Sequence, residues 1–172
     1  MTRNLAAEFG AFDVIIGDRS LGLIVEEFTP PSIERLTQKS RPGGAIGAIK
    51  TNHGLVDDLK ATLKARGYAK ELEEFGSALA LDGTGLILRT AYTDKKSSES
   101  LVIEITMRGR INKRMPFGNF RQGDQTEGEF ELDLVFYEER RGGKTIALVD
   151  IINARFELNG VDQAPAHTAL FA

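Results

Sequence analysis

Cysteine is absent from this 172-residue chain, which excludes disulfides, thiolate nucleophiles and cysteine-ligated metal centres and agrees with assembly in a reducing cytoplasm. Histidine is scarce as well. His53 and His167 lie far apart, with neither paired-ligand nor HExxH spacing, so they read as incidental and no metal or cofactor is expected. No apolar window approaches the roughly 18 residues that a membrane span needs, and Met1 to Gly10 lack the basic start and apolar centre of a signal peptide. The expectation is a soluble protein without a membrane-spanning segment, not exported by the general route. An excess of one charge is missing too: 22 basic against 25 acidic residues leave a net charge of -3, which argues against a dedicated nucleic-acid binder with a basic face for phosphates. The 41% hydrophobic content is slightly low for a compact globule, so part of the apolar surface is expected to be completed by another subunit.

What the chain does have is alternation. Leu101, Ile103, Ile105 and Met107 alternate with Val102, Glu104, Thr106, Arg108 and Arg110; Phe130, Leu132, Leu134 and Phe136 alternate with Glu129, Glu131 and Asp133. A third run from Lys144 turns Ile146, Leu148, Ile152, Ala154, Phe156 and Leu158 one way and Thr145, Asn153, Arg155 and Glu157 the other. A period of two describes half-buried antiparallel strands. Shorter strands are expected at 12–16, 21–28, 33–38 and 86–92, with hairpin turns at Gly17–Ser20 and Arg140–Gly143. Polar or glycine-rich loops are expected at Ser40–Gly47, Thr93–Ser100 and Asn112–Gly128. Leu55–Arg66 fits a helical face and a strand equally well, its Ala, Leu and Lys content favouring helix locally. Ala69–Phe75 reads as a two-turn helix closed by Gly76. No internal repeat or convincing domain boundary interrupts the chain, so residues 1–172 are expected to form one domain.

Catalytic patterns are weak. Gly43 to Thr51 ends in Lys50-Thr51 after several glycines, but Ile49 stands where a phosphate-binding loop needs glycine. Gly83-Thr84-Gly85 lacks the third glycine of a dinucleotide fingerprint and precedes a strand, so it reads as a turn. Glu71, Glu73 and Glu74 read as a solvated helix face, and no serine sits in a nucleophile elbow. An enzyme is not expected. Arg108, Arg110, Lys113 and Arg114 form the densest basic cluster; cross-strand or intersubunit pairing, with Glu129 and Glu131 as neighbours, is favoured over nucleic-acid binding.

Met107-Arg108-Gly109-Arg110, Gln122-Gly123-Asp124, Asp150-Ile151-Ile152-Asn153 and Asn159-Gly160-Val161-Asp162 stand in register over some sixty residues. Together they make the chain resemble the major tail tube proteins of contractile-tailed bacteriophages and the related tubes of R-type bacteriocins. Looser likeness extends upstream through Thr29-Pro30-Pro31 and Arg41-Pro42-Gly43-Gly44. The resemblance implies a mainly β fold of two packed antiparallel sheets with one flanking helix, and makes Leu55–Arg66 a strand. It further implies a hexamer closing one continuous inner β-barrel, with rings stacked into a tube beneath a contractile sheath. Sheath, tape-measure and baseplate proteins would then be partners, with double-stranded DNA passing through the lumen without specific binding. The product would sit in the virion tail after synthesis in the host cytoplasm. Departures from the family pattern fall in the 163–172 tail, which lacks basic residues, and in the short Glu138–Lys144 hairpin.

On that footing Glu129, Glu131 and Asp133 are candidate lumen-facing residues, because acidic side chains discourage DNA from condensing on a wall. Arg41, Pro42, Gly43, Gly44, Arg108, Arg110, Leu170 and Phe171 are candidate inter-ring or intersubunit contacts, and the 1–11 arm and 163–172 tail candidate intersubunit segments. The competing readings are an Hcp-like tube of a type VI secretion system, a DNA-free bacteriocin tube and a small β-sandwich enzyme.

Overall fold

The computed structural model describes residues 8–41, 43, 44, 46–67, 70, 72, 85–93, 100–115, 117, 122 and 126–171. Among these residues twelve strands run in chain order: β1 (Glu8–Ile16), β2 (Arg19–Ser20), β3 (Val25–Thr29), β4 (Arg35–Ser40), β5 (Ile49–Val56), β6 (Leu59–Arg66), β7 (Gly85–Thr93), β8 (Ser100–Met115), β9 (Glu127–Arg141), β10 (Lys144–Asp150), β11 (Arg155–Leu158) and β12 (Val161–Asp162). A C-terminal helix, Pro165–Phe171, follows. Ten strands share one antiparallel hydrogen-bonded sheet in the order β12-β11-β10-β9-β8-β7-β1-β2, with β6 added to β9 and β3 to β6; β4 and β5 form a separate two-stranded sheet.

The 15-residue β9 is the branch point. One edge pairs with β8, whereas the other is divided between β6, opposite Glu127–Leu134, and β10, opposite Phe136–Arg141. Val135 lies at the junction. It is the extra residue of a bulge, since Gly109 faces Leu134 while the preceding Arg108 faces Phe136. An added residue reverses the side-chain phase and bends the strand. Phe130, Leu132 and Leu134 are buried before it and Tyr137 after it, so Phe136, expected inside, is only half-buried and lies under the Arg108 guanidinium, 4.2 Å from its ring centre.

One hydrophobic cluster joins the two limbs. It takes Val14 and Ile16 from β1, Leu86 and Leu88 from β7, Ile105 and Met107 from β8, and Leu59, Ala61, Leu63 and Ala65 from β6. β6 buries every second residue, which settles the Leu55–Arg66 segment as a strand from Leu59 onward. Its first residues, through Val56, belong to β5, where Val56 pairs with Arg35.

The run from Lys144 is two strands, not one. Ile146 is bulged out of the β9–β10 ladder, so Ala147 and Val149 are buried and Ile146 and Leu148 are half-buried. After Asp150 the chain turns: both carboxylate oxygens accept hydrogen bonds from Asn153, from its backbone N–H at 3.0 Å and its side-chain amide at 2.7 Å. Ile152, expected inside, is therefore 57% exposed in the turn. Asp150→Ala leaves the Asn153 N–H without this acceptor and is expected to cost about 1–2 kcal/mol, read as a lower denaturant midpoint at unchanged slope.

Other boundaries moved for identifiable reasons. β8 continues to Met115, into the expected Asn112–Gly128 loop, because Lys113 pairs across to β9. β1 begins at Glu8, so Glu8–Ala11 of the expected N-terminal arm already pairs with β7. The 21–28 strand begins only at Val25, after a turn at 22–24. The turns at 17–18 and 142–143 fall where expected, with Gly142 and Gly143 both at positive φ. Of the expected 69–75 helix only Lys70 and Leu72 are described; both are helical and Leu72 is buried. Glu71, Glu73, Glu74 and the 81–84 turn lie outside the described residues.

Candidate assembly surface

Strands β3, β6, β9 and β8 form a consecutive antiparallel run within the large sheet. Their buried residues face the core, so the alternate residues make one outward face. Register places Lys60 beside Asp133 and Arg110, then Thr29 and Thr62 beside Glu131 and Lys113, then Glu27 and Lys64 beside Glu129. Glu129, Glu131 and Asp133 therefore do share a face, as their alternation required. They do not stand alone on it, because β6 and β8 flank them with cations.

Ion pairs stitch the face together. Lys113 Nζ lies 2.8 Å from Glu131 and 3.6 Å from Glu129; Lys64 Nζ lies 2.5 Å from Glu27; Arg66 pairs with Glu26. The hydrogen bond and charge of Glu131 raise the Lys113 pKa, and those of Glu27 raise that of Lys64. All three cations are water-exposed, so each pair adds little to stability and mainly fixes side-chain direction. Arg110 is exposed and makes no ion pair among the described residues.

Both borders of this four-strand run are open. β3 pairs only with β6, and beyond Arg108 the edge of β8 that β7 occupied is vacant over Gly109–Met115, among the described residues. Open edges present unpaired N–H and C=O groups that a second strand can bind.

A sequence model of the family "Phage tail tube protein FII" matches residues 8–170. The chain belongs to this family. It is 26% identical to the tail tube protein of Escherichia phage P2 over 157 residues, covering 90% of this chain and 91% of that one. It is 27% identical to the major tail tube protein of Serratia phage KSP20 over 142 residues, covering 82% and 81%. Among solved structures, it resembles a chain in the extended sheath/tube terminator of PVC, an extracellular contractile injection system. That match has a TM-score of 0.57 at 14% identity, covering 76% of this chain and 93% of that one. A chain in the extended PVC sheath–tube complex gives 0.56 at 15%, covering 76% and 88%. The tail tube family makes the role structural and places the protein in the virion tail.

The remaining candidate positions of this tail tube chain are dispersed. Arg41, Gly43 and Gly44 lie in the connection between β4 and β5, all exposed; Pro42 is outside the described residues. Arg108 is engaged with Phe136, on the other side of the bulge from Arg110. Leu170 is 76% exposed on the C-terminal helix, which ends at Phe171. That helix was not expected from sequence, although Pro165 at its first position and the Asp162 carboxylate accepting the Ala164 N–H at 2.8 Å are start signals. Lys60, Lys64, Glu26 and Glu27 carry no local signal for the face, and only strand pairing brings them to it. A separate groove of about 420 Å³ is lined by Phe9, Phe12, Phe28, Pro30, Pro31 and Tyr92, with the buried Tyr137 hydroxyl 3.2 Å from Glu139. Burial is the main cause that raises the Tyr137 pKa far above the phenol range.

Proposed function

We propose that six copies close their β3-β6-β9-β8 strands into one barrel, that such rings stack into the inner tube of a contractile phage tail, and that DNA leaves through its bore. The observation that carries this reading is the pair of open edges bounding an even number of antiparallel strands. With β3 and β8 running in opposite directions, a rotation-related copy presents β3 antiparallel to the β8 it meets, so the ladder continues around the axis without a defect. Closure removes the exposed edges. The exposed β4–β5 connection containing Arg41, Gly43 and Gly44, together with Leu170 and Phe171 of the C-terminal helix, supplies ring-to-ring contacts. Sheath subunits surround the tube, tape-measure and baseplate proteins engage its inside and its end, and the chain is made in the bacterial cytoplasm. Neither catalysis nor a cofactor is needed for this role.

The outward face of the four strands becomes the wall of the bore, so Glu129, Glu131 and Asp133 are lumenal but offset by Lys60, Lys64, Arg110 and Lys113. A charge-balanced wall has no basic stripe on which phosphates can condense. Glu131→Lys combined with Asp133→Lys converts the central stripe to cations; tubes are expected to form while plaque counts fall and ejected DNA stalls. Unchanged infectivity would remove these residues from the bore. Purified protein should give rings or hollow rods in negative stain, and a uniformly monomeric preparation within an intact tail-assembly system would overturn the tube arrangement.

The PVC likeness supports a second reading, a tube in a DNA-free injection device. Capsid and packaging genes beside the gene favour the phage tail, and their absence beside intact sheath and baseplate genes favours the device.

A further inference from the structure

The outward face carries its charges by strand. β3 contributes Glu26 and Glu27, β6 contributes Lys60, Lys64 and Arg66, β9 contributes Glu127, Glu129, Glu131 and Asp133, and β8 contributes Arg110 and Lys113. The order is acidic, basic, acidic, basic. An alternation that begins acidic and ends basic is complementary to itself: the basic border of one copy fits the acidic border of the next. Among the described residues of one chain Lys113 is satisfied by Glu129 and Glu131, but Arg110 is left over.

We propose that the basic β8 border, Arg110 and Lys113, seats against the acidic β3 border, Glu26 and Glu27, of a second copy of this chain, so that charge sets both partner choice and register when the ring closes. This rests on the barrel reading above and deepens it by naming the two strands of the seam and what keys them. Opposite charges on directly facing strands stabilise a pairing and like charges oppose it, so the seam rejects β3-to-β3 and β8-to-β8 joining, the two ways in which open edges produce irregular aggregates. A barrel also needs its strands staggered. Unstaggered, Lys113 lies in the row of Thr29; a slip of two residues along β3 brings Glu27 opposite it and keeps every side chain on its own face.

The natural absence of cysteine gives a direct test in the full-length chain. Lys113→Cys is combined with Glu27→Cys in one variant and with Thr29→Cys in another, and rods are oxidised and run on a denaturing gel. Inside one chain these positions are three strand spacings apart, roughly 14 Å, too far for a disulfide. Any bond is therefore between copies. A ladder of linked chains ending at a closed ring in either variant is the expected result; rods visible in the microscope that yield only monomers in both variants would overturn the seam while leaving the tube intact. Failure of the wild type itself to form rods would instead count against the tube.

Charge is tested separately with Arg110→Glu and Arg110→Gln. Both should keep the wild-type circular dichroism spectrum, since Arg110 is exposed and unpaired among the described residues. The glutamate variant is expected to raise the concentration needed for rod formation at least about tenfold, with the glutamine variant between. Equal assembly of all three at low salt would overturn the electrostatic key.

Discussion

Gly109→Ala is expected to lower the stability of the folded chain by about 3 kcal/mol or more. A methyl group at this position would overlap the Asp133 carbonyl oxygen and lie 2.8 Å from the Leu134 Cα and 3.0 Å from the Asp133 carbonyl carbon. All three are backbone atoms, so no side chain can rotate away. Relief requires moving β8 from β9, yet Asp133 is also paired with Lys60 of β6, and a shift that opens one ladder strains the other. The close approach follows from the bulge, where the ladder slips between Arg108/Phe136 and Gly109/Leu134. Glycine is needed here for space alone; its φ is not in the left-handed region. For a domain of this length the loss corresponds to a melting temperature lower by roughly 6–12 °C. A melt within a degree or two of wild type would show that the two backbones are not in contact.

The same bulge explains which parts of the fold were legible from residues alone. Alternation identified β8 and β9 and correctly placed Phe130, Leu132 and Leu134 in the core. It failed at Phe136, because an inserted residue leaves composition unchanged and reverses the phase only through the partner strand. Ile146 is a second instance, moving burial from Ile146 and Leu148 to Ala147 and Val149. The break between β10 and β11 was written in Asp150 and Asn153, whose side chains bond locally, but an unbroken apolar series concealed it. For the assembly surface, the acidic stripe of β9 was readable from its own strand. The basic flank on β6 was not, because nothing local says that Lys60 lies beside Asp133 or that Lys64 lies between Glu27 and Glu129. Strand order supplies that information.

Leu63→Ala is expected to cost about 3 kcal/mol, and it addresses the segment whose local propensity pointed the other way. Leu63 is fully buried, opposite Phe28 on β3 and Phe130 on β9, so two rigid neighbours would border the cavity and neither strand can collapse into it without breaking the other's register. Helix propensity differs among these residues by only tenths of a kcal/mol per position, less than the burial of one leucine supplies; pairing on both edges therefore decides the conformation. The companion substitutions separate strand from helix. Ala61 is 1% exposed and Thr62 is half-buried on the opposite face, so Ala61→Asp should unfold the chain or come close to it by burying an unpaired carboxylate, while Lys60→Ala should change stability by less than about 1 kcal/mol. On a helix with Val56, Leu59 and Leu63 inward, Ala61 would face water and accept aspartate at little cost. Chemical denaturation of the three variants reads the pattern directly: large losses at 61 and 63 with a small one at 60 require period two, and a soluble, wild-type-like Ala61→Asp protein would refute the strand.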